Sequence, residues 1–376
     1  MAATLLVEPD SAFIQEILTS GGEDLKKCFQ CATCSSVCTL SEDRFAFPRR
    51  LMISAQWGLK EKVLADPAIW LCHDCGDCTA NCPRAAKPSN VMGVLRKEAI
   101  KRYAFPSFAG TMVSSPKSLA LLLLIPFLIF GVIGLFELQH GLTQPYIFAE
   151  LFPASILEPL FYAVSAFVVL SFAVGVSRFV KDLRACGCEG RILAGLVPAL
   201  GEILAHKRFS KCATNHDRYL GHMLALFGFV GLGITGTSVG VGTMFHLMET
   251  PLPLLSGWKI FANLSAVLIL VGTVLLIAER IKSAEKWSAT TYFDGFFLVT
   301  LAGVVATGFL SEGLRLAQSA GLMYSVYYIH LTLIFSLFLY APYSKFAHFV
   351  YRTIAMAAAR EAPLKTETAI PQSGNA

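Results

Sequence analysis

Six apolar segments, near residues 118–136, 156–180, 219–245, 258–279, 294–311 and 322–344, constrain this chain more than any other feature. Each is of a length to cross the ~30 Å hydrocarbon core of a bilayer as a helix, and lipid obliges such a segment to satisfy its backbone polar groups internally. The fifth is the shortest. Its core runs from Gly295 to Leu310 and is followed at once by Glu312 and Arg315, so it is expected to tilt little or to end near the interface. Composition agrees: 55% of the 376 residues are hydrophobic and 15% are charged, against an apolar share of about 45–50% in ordinary soluble proteins.

Basic residues set the expected orientation. The 178–218 loop carries Arg178, Lys181, Arg184, Arg191, Lys207, Arg208, Lys211 and Arg218, whereas the 137–155 loop carries no Lys or Arg. Cytoplasmic loops hold the excess of Lys and Arg, so both termini are expected on the cytoplasmic face of the inner (cytoplasmic) membrane. The first residues also lack the basic and apolar regions of a signal peptide. A net charge of +5 concentrated in such loops points to membrane lipid and gives no reason to expect nucleic acid. Within the basic loop, Ile192, Leu193, Leu196, Leu200, Ile203 and Leu204 recur at helical spacing. They read either as an amphipathic helix on the membrane surface or as a connector helix.

Residues 1–105 are water-compatible and form the first expected domain, 106–117 a linker punctuated by Pro and Ser, 118–350 the transmembrane domain and 351–376 a cytoplasmic tail. Cys28, Cys31, Cys34 and Cys38 form C-x2-C-x2-C-x3-C, and Cys72, Cys75, Cys78 and Cys82 repeat it ahead of Pro83. This is the spacing of iron–sulfur thiolates: three wrap one cube, and the fourth, carried off by its three-residue gap, serves the other. The expected ligand sets are therefore Cys28, Cys31, Cys34 with Cys82, and Cys72, Cys75, Cys78 with Cys38, holding two 4Fe-4S clusters. Paired zinc sites compete, because C-x2-C repeats also build tetrahedral thiolate cages. Thr39 after Cys38, where bacterial ferredoxins place proline, is a departure that leaves the ligand count intact. No nucleophile–base pair or phosphate loop accompanies the runs, so no catalytic residue is expected there. Cys186, Cys188 and Cys212 read as idle thiols in a reducing compartment.

Ionisable residues in spans are functional by default. His222 opens the third segment, His246 ends it, His330 lies within the sixth and His348 follows it. Antiparallel third and sixth helices pair His222 with His348 toward the cytoplasm and His246 with His330 toward the far side, an arrangement suited to axial ligation of two b-type haems. His330 and His348 are 18 residues apart, which on a continuous helix is five turns, one face and ~27 Å. His222 and His246 are 24 residues apart and share no face on an ideal helix; glycines at 228, 231, 233, 236, 240 and 242 offer bending or close packing. His216 is the reserve ligand, while His73, His140 and His206 read as solvated or interfacial. Lys259 beside Trp258 reads as a snorkelling anchor or as a donor to a quinone carbonyl near the outer haem.

Cys28-Phe-Gln-Cys-Ala-Thr-Cys-Ser-Ser-Val-Cys, Phe47-Pro-Arg-Arg and Trp70-Leu-Cys-His-Asp-Cys-Gly-Asp-Cys-Thr-Ala-Asn-Cys-Pro-Arg resemble the C subunit of heterodisulfide reductase, an α-helical ferredoxin. Residues 156–350 resemble the cytochrome b subunit of respiratory nitrate reductase, whose histidine ligands lie on helices matching the third and sixth here, and whose quinone-site lysine falls near Lys259. The wider spacing of His222 and His246 departs from that relative. Fusion of the two parts resembles the C subunit of the quinone-interacting membrane-bound oxidoreductases (Qmo) of sulfate-reducing prokaryotes. The resemblance implies an all-α fold, an α-helical ferredoxin domain followed by a six-helix transmembrane bundle. It further implies two flavin-containing cytoplasmic partner subunits and electron exchange between menaquinone and adenylylsulfate reductase in dissimilatory sulfate reduction. A neighbouring expectation is the membrane subunit of a heterodisulfide- or sulfite-linked reductase complex, and a non-redox one is a membrane scaffold with a zinc-binding cysteine domain.

Overall fold

The computed structural model describes residues 8–41, 46–185, 192–206, 218–282 and 292–361. Cys186, Cys188, Cys212 and His216 lie outside the described residues, as do Arg191, Lys207, Arg208 and Lys211. Helices and turns, with no strand among the described residues, build the chain. The N-terminal region contains α1 (Ser11–Thr19), α2 (Thr33–Ser36), α3 (Arg49–Gln56), α4 (Lys60–Leu64), α5 (Ala68–Leu71), α6 (Asp77–Ala80), α7 (Pro88–Tyr103) and α8 (Ser107–Val113). Then follow α9 (Leu119–Glu137), α10 (Ala154–Ala185), α11 (Ile192–Leu204), α12 (Arg218–Met244), α13 (Gly257–Lys282), α14 (Tyr292–Leu316), α15 (Ala320–Leu339) and α16 (Lys345–Glu361).

Among the described residues six helical stretches are long and apolar enough to cross a membrane: Pro116–His140, Ala154–Ala185, Arg218–Met244, Gly257–Lys282, Gly295–Leu316 and Ala320–Leu339. The chain is thus a multi-pass membrane protein, with six stretches overlapping the six apolar segments of the sequence. The fifth does not stop short at Leu310. It continues past Glu312 because Lys259 on α13 meets that carboxylate at 2.9 Å, so the charge is paired within the bundle.

The glycines of α12 serve close packing on α13. A methyl group at Gly228 would lie 2.5 Å from the Ser265 carbonyl oxygen, and one at Gly272 2.5 Å from the Ala225 nitrogen, so the two backbones touch where only glycine fits.

The expected boundaries differ from the structure at three places. The 106–117 linker is largely helix α8, packed so closely that a methyl group at Gly110 would lie 2.8 Å from Ala104 Cβ. The sixth segment does not run unbroken to His348. It ends at Leu339, passes through a single 3-10 turn at Ala341–Tyr343 and restarts as α16, because Pro342 supplies no backbone donor. The break is held in place by the Tyr340 hydroxyl, which donates to the Leu122 carbonyl at 2.8 Å, and by the Tyr343 hydroxyl, which donates to the Phe105 carbonyl. The one-face argument for His330 and His348 therefore fails, since it needs a continuous helix. Finally, residues 351–361 are no tail: α16 carries Ala355, Met356, Ala357 and Ala358 into the protein's main core.

That core joins the cysteine-bearing region to the membrane helices. Trp70, Tyr103, Phe179 and Tyr351 are buried together, with ring centroids 4.8 Å apart for Trp70–Tyr351 and 5.2 Å for Tyr103–Phe179. Burying each such ring contributes roughly 1.5–3 kcal/mol. Asp182 at the end of α10 accepts from Arg102 Nε and from the Tyr103 hydroxyl, both at 2.9 Å, fixing α7 on α10. Helix α11 packs on α16, where a methyl group at Gly195 would lie 2.5 Å from the Ala357 oxygen, while Leu193 and Val197 stay exposed on its other face. The ends of α10 and α12 and all of α16 that touch this region define the cysteine side of the bundle; the opposite end is the far side.

Candidate metal centres

Each cysteine run follows the same backbone path. Gln30 and Ala32 in the first run and Asp74 and Gly76 in the second all have positive φ, 59°, 69°, 55° and 83°, at equivalent places between the cysteines. These left-handed residues turn the chain back on itself after each thiol and deliver it into the short helices α2 and α6, which pack against each other. The result is two hollows, one lined by Cys28, Cys31, Cys34 and Cys82, the other by Cys72, Cys75, Cys78 and Cys38. Each groups the four cysteines that spacing assigned to one cluster, the fourth in each case coming from the other run.

The thiols belong to two environments. Cys31 is exposed, whereas burial pushes the Cys34 thiol up to about 11 and the Cys38 thiol up to about 12. A metal held there would displace those protons, since the thiolate is the ligand. Nearby N–H groups point at sulfur: Gln30 Nε2 donates to Cys28 Sγ, Asp74 N to Cys72 Sγ and Ala86 N to Cys82 Sγ, each at 3.4 Å. Such contacts tune a cluster's potential. Four thiols spread around each hollow fit an iron–sulfur cube.

The loop leaving α5 toward the second run is bolted to the membrane helices. Arg352 of α16 donates through Nη1 to the carbonyls of Trp70, Leu71 and Cys72 at 3.2, 3.2 and 3.0 Å, and its Nη2 meets His73 Nδ1 at 2.7 Å. Arg218, the first residue of α12, donates to the Asp74 carbonyl at 3.0 Å. One helical turn from each arginine on the same face stands a histidine from the sequence analysis: His348 precedes Arg352, and His222 follows Arg218. The His348 ring lies 6.1 Å from that of Trp70, and its Nδ1 is buried with no hydrogen-bond partner. Burial, then Arg96 and Arg352, push His348 well below its ordinary value, so the ring is neutral, the form that ligates metal. His222 Nδ1 lies 2.8 Å from Nε2 of His206. His206 is buried and neither solvated nor interfacial as expected, because the turn ending α11 folds it inward.

On the far side His330 is held by α14. Its Nδ1 lies 3.0 Å from the Val304 carbonyl and 3.1 Å from Thr307 Oγ1, which fixes the proton on Nδ1 and leaves Nε2 with the lone pair. A methyl group at Gly308 would lie 3.2 Å from the His330 ring. His246 does not end α12 as expected. The helix stops at Met244 because Leu247 N and Met248 N both turn back to the Gly242 carbonyl, at 2.7 and 3.1 Å, leaving His246 exposed in the turn with φ 56°. Lys259, expected as anchor or quinone donor, is ion-paired with Glu312, which also lies 3.5 Å from Asn263 Nδ2. An unpartnered buried nitrogen on His348, a ring with Nδ1 occupied on His330 and His222 held through Nδ1 fit axial haem ligation through imidazole nitrogen.

Arg352, Arg218, Trp70, His206 and Glu312 were not singled out as site residues from the sequence. Only the four-residue offsets His348/Arg352 and His222/Arg218 were visible there.

Known proteins resemble the chain along the same division. Residues 24–86 match the family described as a 4Fe-4S dicluster domain, and residues 111–368, more than half of the chain, match the family described as citrate utilization protein B. The class is thereby set: a multi-pass membrane protein carrying a 4Fe-4S dicluster domain. The chain belongs to the citrate utilization protein B family. It is 25% identical to citrate utilization protein B of Escherichia coli over 307 residues, 76% of this chain and 79% of that protein. Its N-terminal part is 37% identical over 92 residues to the C subunit of the H(2):CoB-CoM heterodisulfide,ferredoxin reductase of Methanothermobacter thermautotrophicus, 24% of this chain and 50% of that one. It is 38% identical over 90 residues to an Archaeoglobus profundus protein like the C subunit of heterodisulfide reductase, 24% of this chain and 48% of that one. The chain thus spans about half the length of these heterodisulfide reductase relatives. No solved structure matches it.

Proposed function

We propose that this chain is the membrane electron-transfer subunit of a quinone-linked oxidoreductase complex, passing electrons between menaquinone and a cytoplasmic flavoprotein. The carrying observation is the bolt of Arg352 and Arg218 across the loop of Cys72, one turn from His348 and His222. It brings the second cysteine set next to the histidines at the cysteine side of the bundle.

Two 4Fe-4S clusters and two b-type haems supply one-electron exchange when bound. Cys28, Cys31, Cys34 and Cys82 hold the outer cluster, whose exposed Cys31 lies nearest solvent and the soluble partners. Cys72, Cys75, Cys78 and Cys38 hold the inner one. His222 and His348 would hold the haem on the cysteine side, and His246 with His330 the one on the far side. Trp70, packed between the Cys72 loop and His348, shortens the route by filling it with ring rather than water. Lys259, paired with Glu312 at 2.9 Å, would orient a quinone carbonyl. Both termini face the cytoplasm of the inner membrane, and residues 8–113 with α16 form a ferredoxin unit of short helices.

The favoured complex is of the Qmo type, with two flavin-containing subunits that deliver to or draw from adenylylsulfate reductase in dissimilatory sulfate reduction. A second reading is favoured by the E. coli relative aligned over most of both chains: the same wire serving citrate utilization. Anaerobic purification from solubilised membranes tests both. Two flavoproteins copurifying, with dithionite-reduced b-haem bands and about eight irons per chain in the clusters, are expected. A colourless, zinc-containing chain ends the redox reading, and a partner acting on a carboxylic acid selects the second.

A further inference from the structure

His206 ends the turn after α11 in the left-handed region, at φ 50°. That backbone is strained for a non-glycine residue, and what it achieves is a direction: it folds the ring into the protein, 7% exposed, against His222. The ring centroids are 4.9 Å apart and nearly edge-on.

The hydrogen bonds at this pair assign its protons. His206 Nδ1 lies 3.2 Å from the Leu204 carbonyl oxygen, and a carbonyl only accepts, so Nδ1 carries the hydrogen. In a neutral ring the other nitrogen then holds a lone pair. His206 Nε2 is therefore an acceptor, and the His222 Nδ1 at 2.8 Å is the group that donates to it. His222 is left with its lone pair on Nε2, the nitrogen that a metal takes.

We infer that His206 is a positioning residue: it accepts the Nδ1 hydrogen of His222, fixes its tautomer and ring plane, and so lowers the potential of the haem on the cysteine side. The inference rests on His222 being an axial ligand, as proposed above. An accepted Nδ1 hydrogen makes the imidazole a stronger donor, which stabilises oxidised iron more than reduced iron. Loss of such an outer partner typically weakens a metal site 10–100-fold; a tenfold loss confined to oxidised iron raises a one-electron potential by ~59 mV.

The test compares His206→Ala and His206→Gln in the intact complex by potentiometric titration of the haem bands and by low-spin ferric electron paramagnetic resonance. The haem on the cysteine side is identified as the one missing in His348→Ala. His206→Ala should keep its haem, raise that one potential by about 59 mV and broaden its low-spin signal, with the far-side haem unchanged. His206→Gln, whose amide oxygen still accepts, should lie nearer the parent. An unchanged potential and signal in folded His206→Ala overturns the inference, and so does loss of the haem itself, which would make His206 a ligand. Parent protein that binds no haem fails the proposed function instead, so the two failures are distinguishable.

Discussion

On the cysteine side of the bundle, His222 and His348 stand on helices whose neighbouring arginines grip a distant loop, and His206 backs one of the rings at 2.8 Å. At the far end only His330 is braced, by Val304 and Thr307 of one adjacent helix, while His246 sits exposed in a turn. The two ends thus carry histidines on unequal scaffolds. A site assembled from the cysteine region, α12 and α16 is preorganised by tertiary contacts; one assembled from a helix and a turn leaves part of its order to be supplied on binding. On the proposed function, the end that would receive the quinone is the looser one, in keeping with ligand-binding segments being drawn from low-stability regions.

This contrast is open to direct attack. His348→Ala should have the largest effect: complete loss of one of the two haems, seen as a halved haem-to-protein ratio, with the far-side band intact. Loss of both bands would show the two ends to be coupled. Next comes Arg352→Met, which removes the contacts to the carbonyls of Trp70, Leu71 and Cys72 and to His73. Hydrogen bonds from a charged group contribute roughly 1.5–3 kcal/mol each and do not simply add. A destabilisation of about 3 kcal/mol in the unfolding of the cysteine region, with slower cluster-to-haem transfer, is expected. Unchanged transfer at lowered stability would make the bolt purely structural.

Gly308→Val should push on the His330 ring and destabilise by about 1–3 kcal/mol, changing the far-side spectrum alone. A change in the cysteine-side haem would contradict the separation of the two ends. The smallest effect on stability belongs to His246→Ala, within about 0.5 kcal/mol as for an exposed turn residue. Its far-side haem should nevertheless be lost or turn high-spin, and a fully low-spin far-side haem in that variant would remove His246 from the ligand set.

Much of this was legible in the sequence because the relevant signals are local. The six spans follow from runs of apolar residues, and the grouping of Cys38 and Cys82 with the opposite runs follows from a gap of three against gaps of two. Lys259 was visible as an anomaly at a span end, but its partner Glu312 read only as the thing that ended the next span. His206 looked solvated because nothing in its neighbours announces that the chain folds it inward.

The chain's own periodicities marked the segments long and apolar enough to span, and the gaps within each cysteine run marked which thiol would leave its run, since each signal lies within a few turns of sequence. The break at Pro342, the seating of α16 in the core and the grip of Arg352 on the end of α5, up to 282 residues away in sequence, were decided by the tertiary structure. Those contacts exist because buried carbonyls and rings must find partners, and which partner comes within reach is a property of the packed helices rather than of any stretch of sequence.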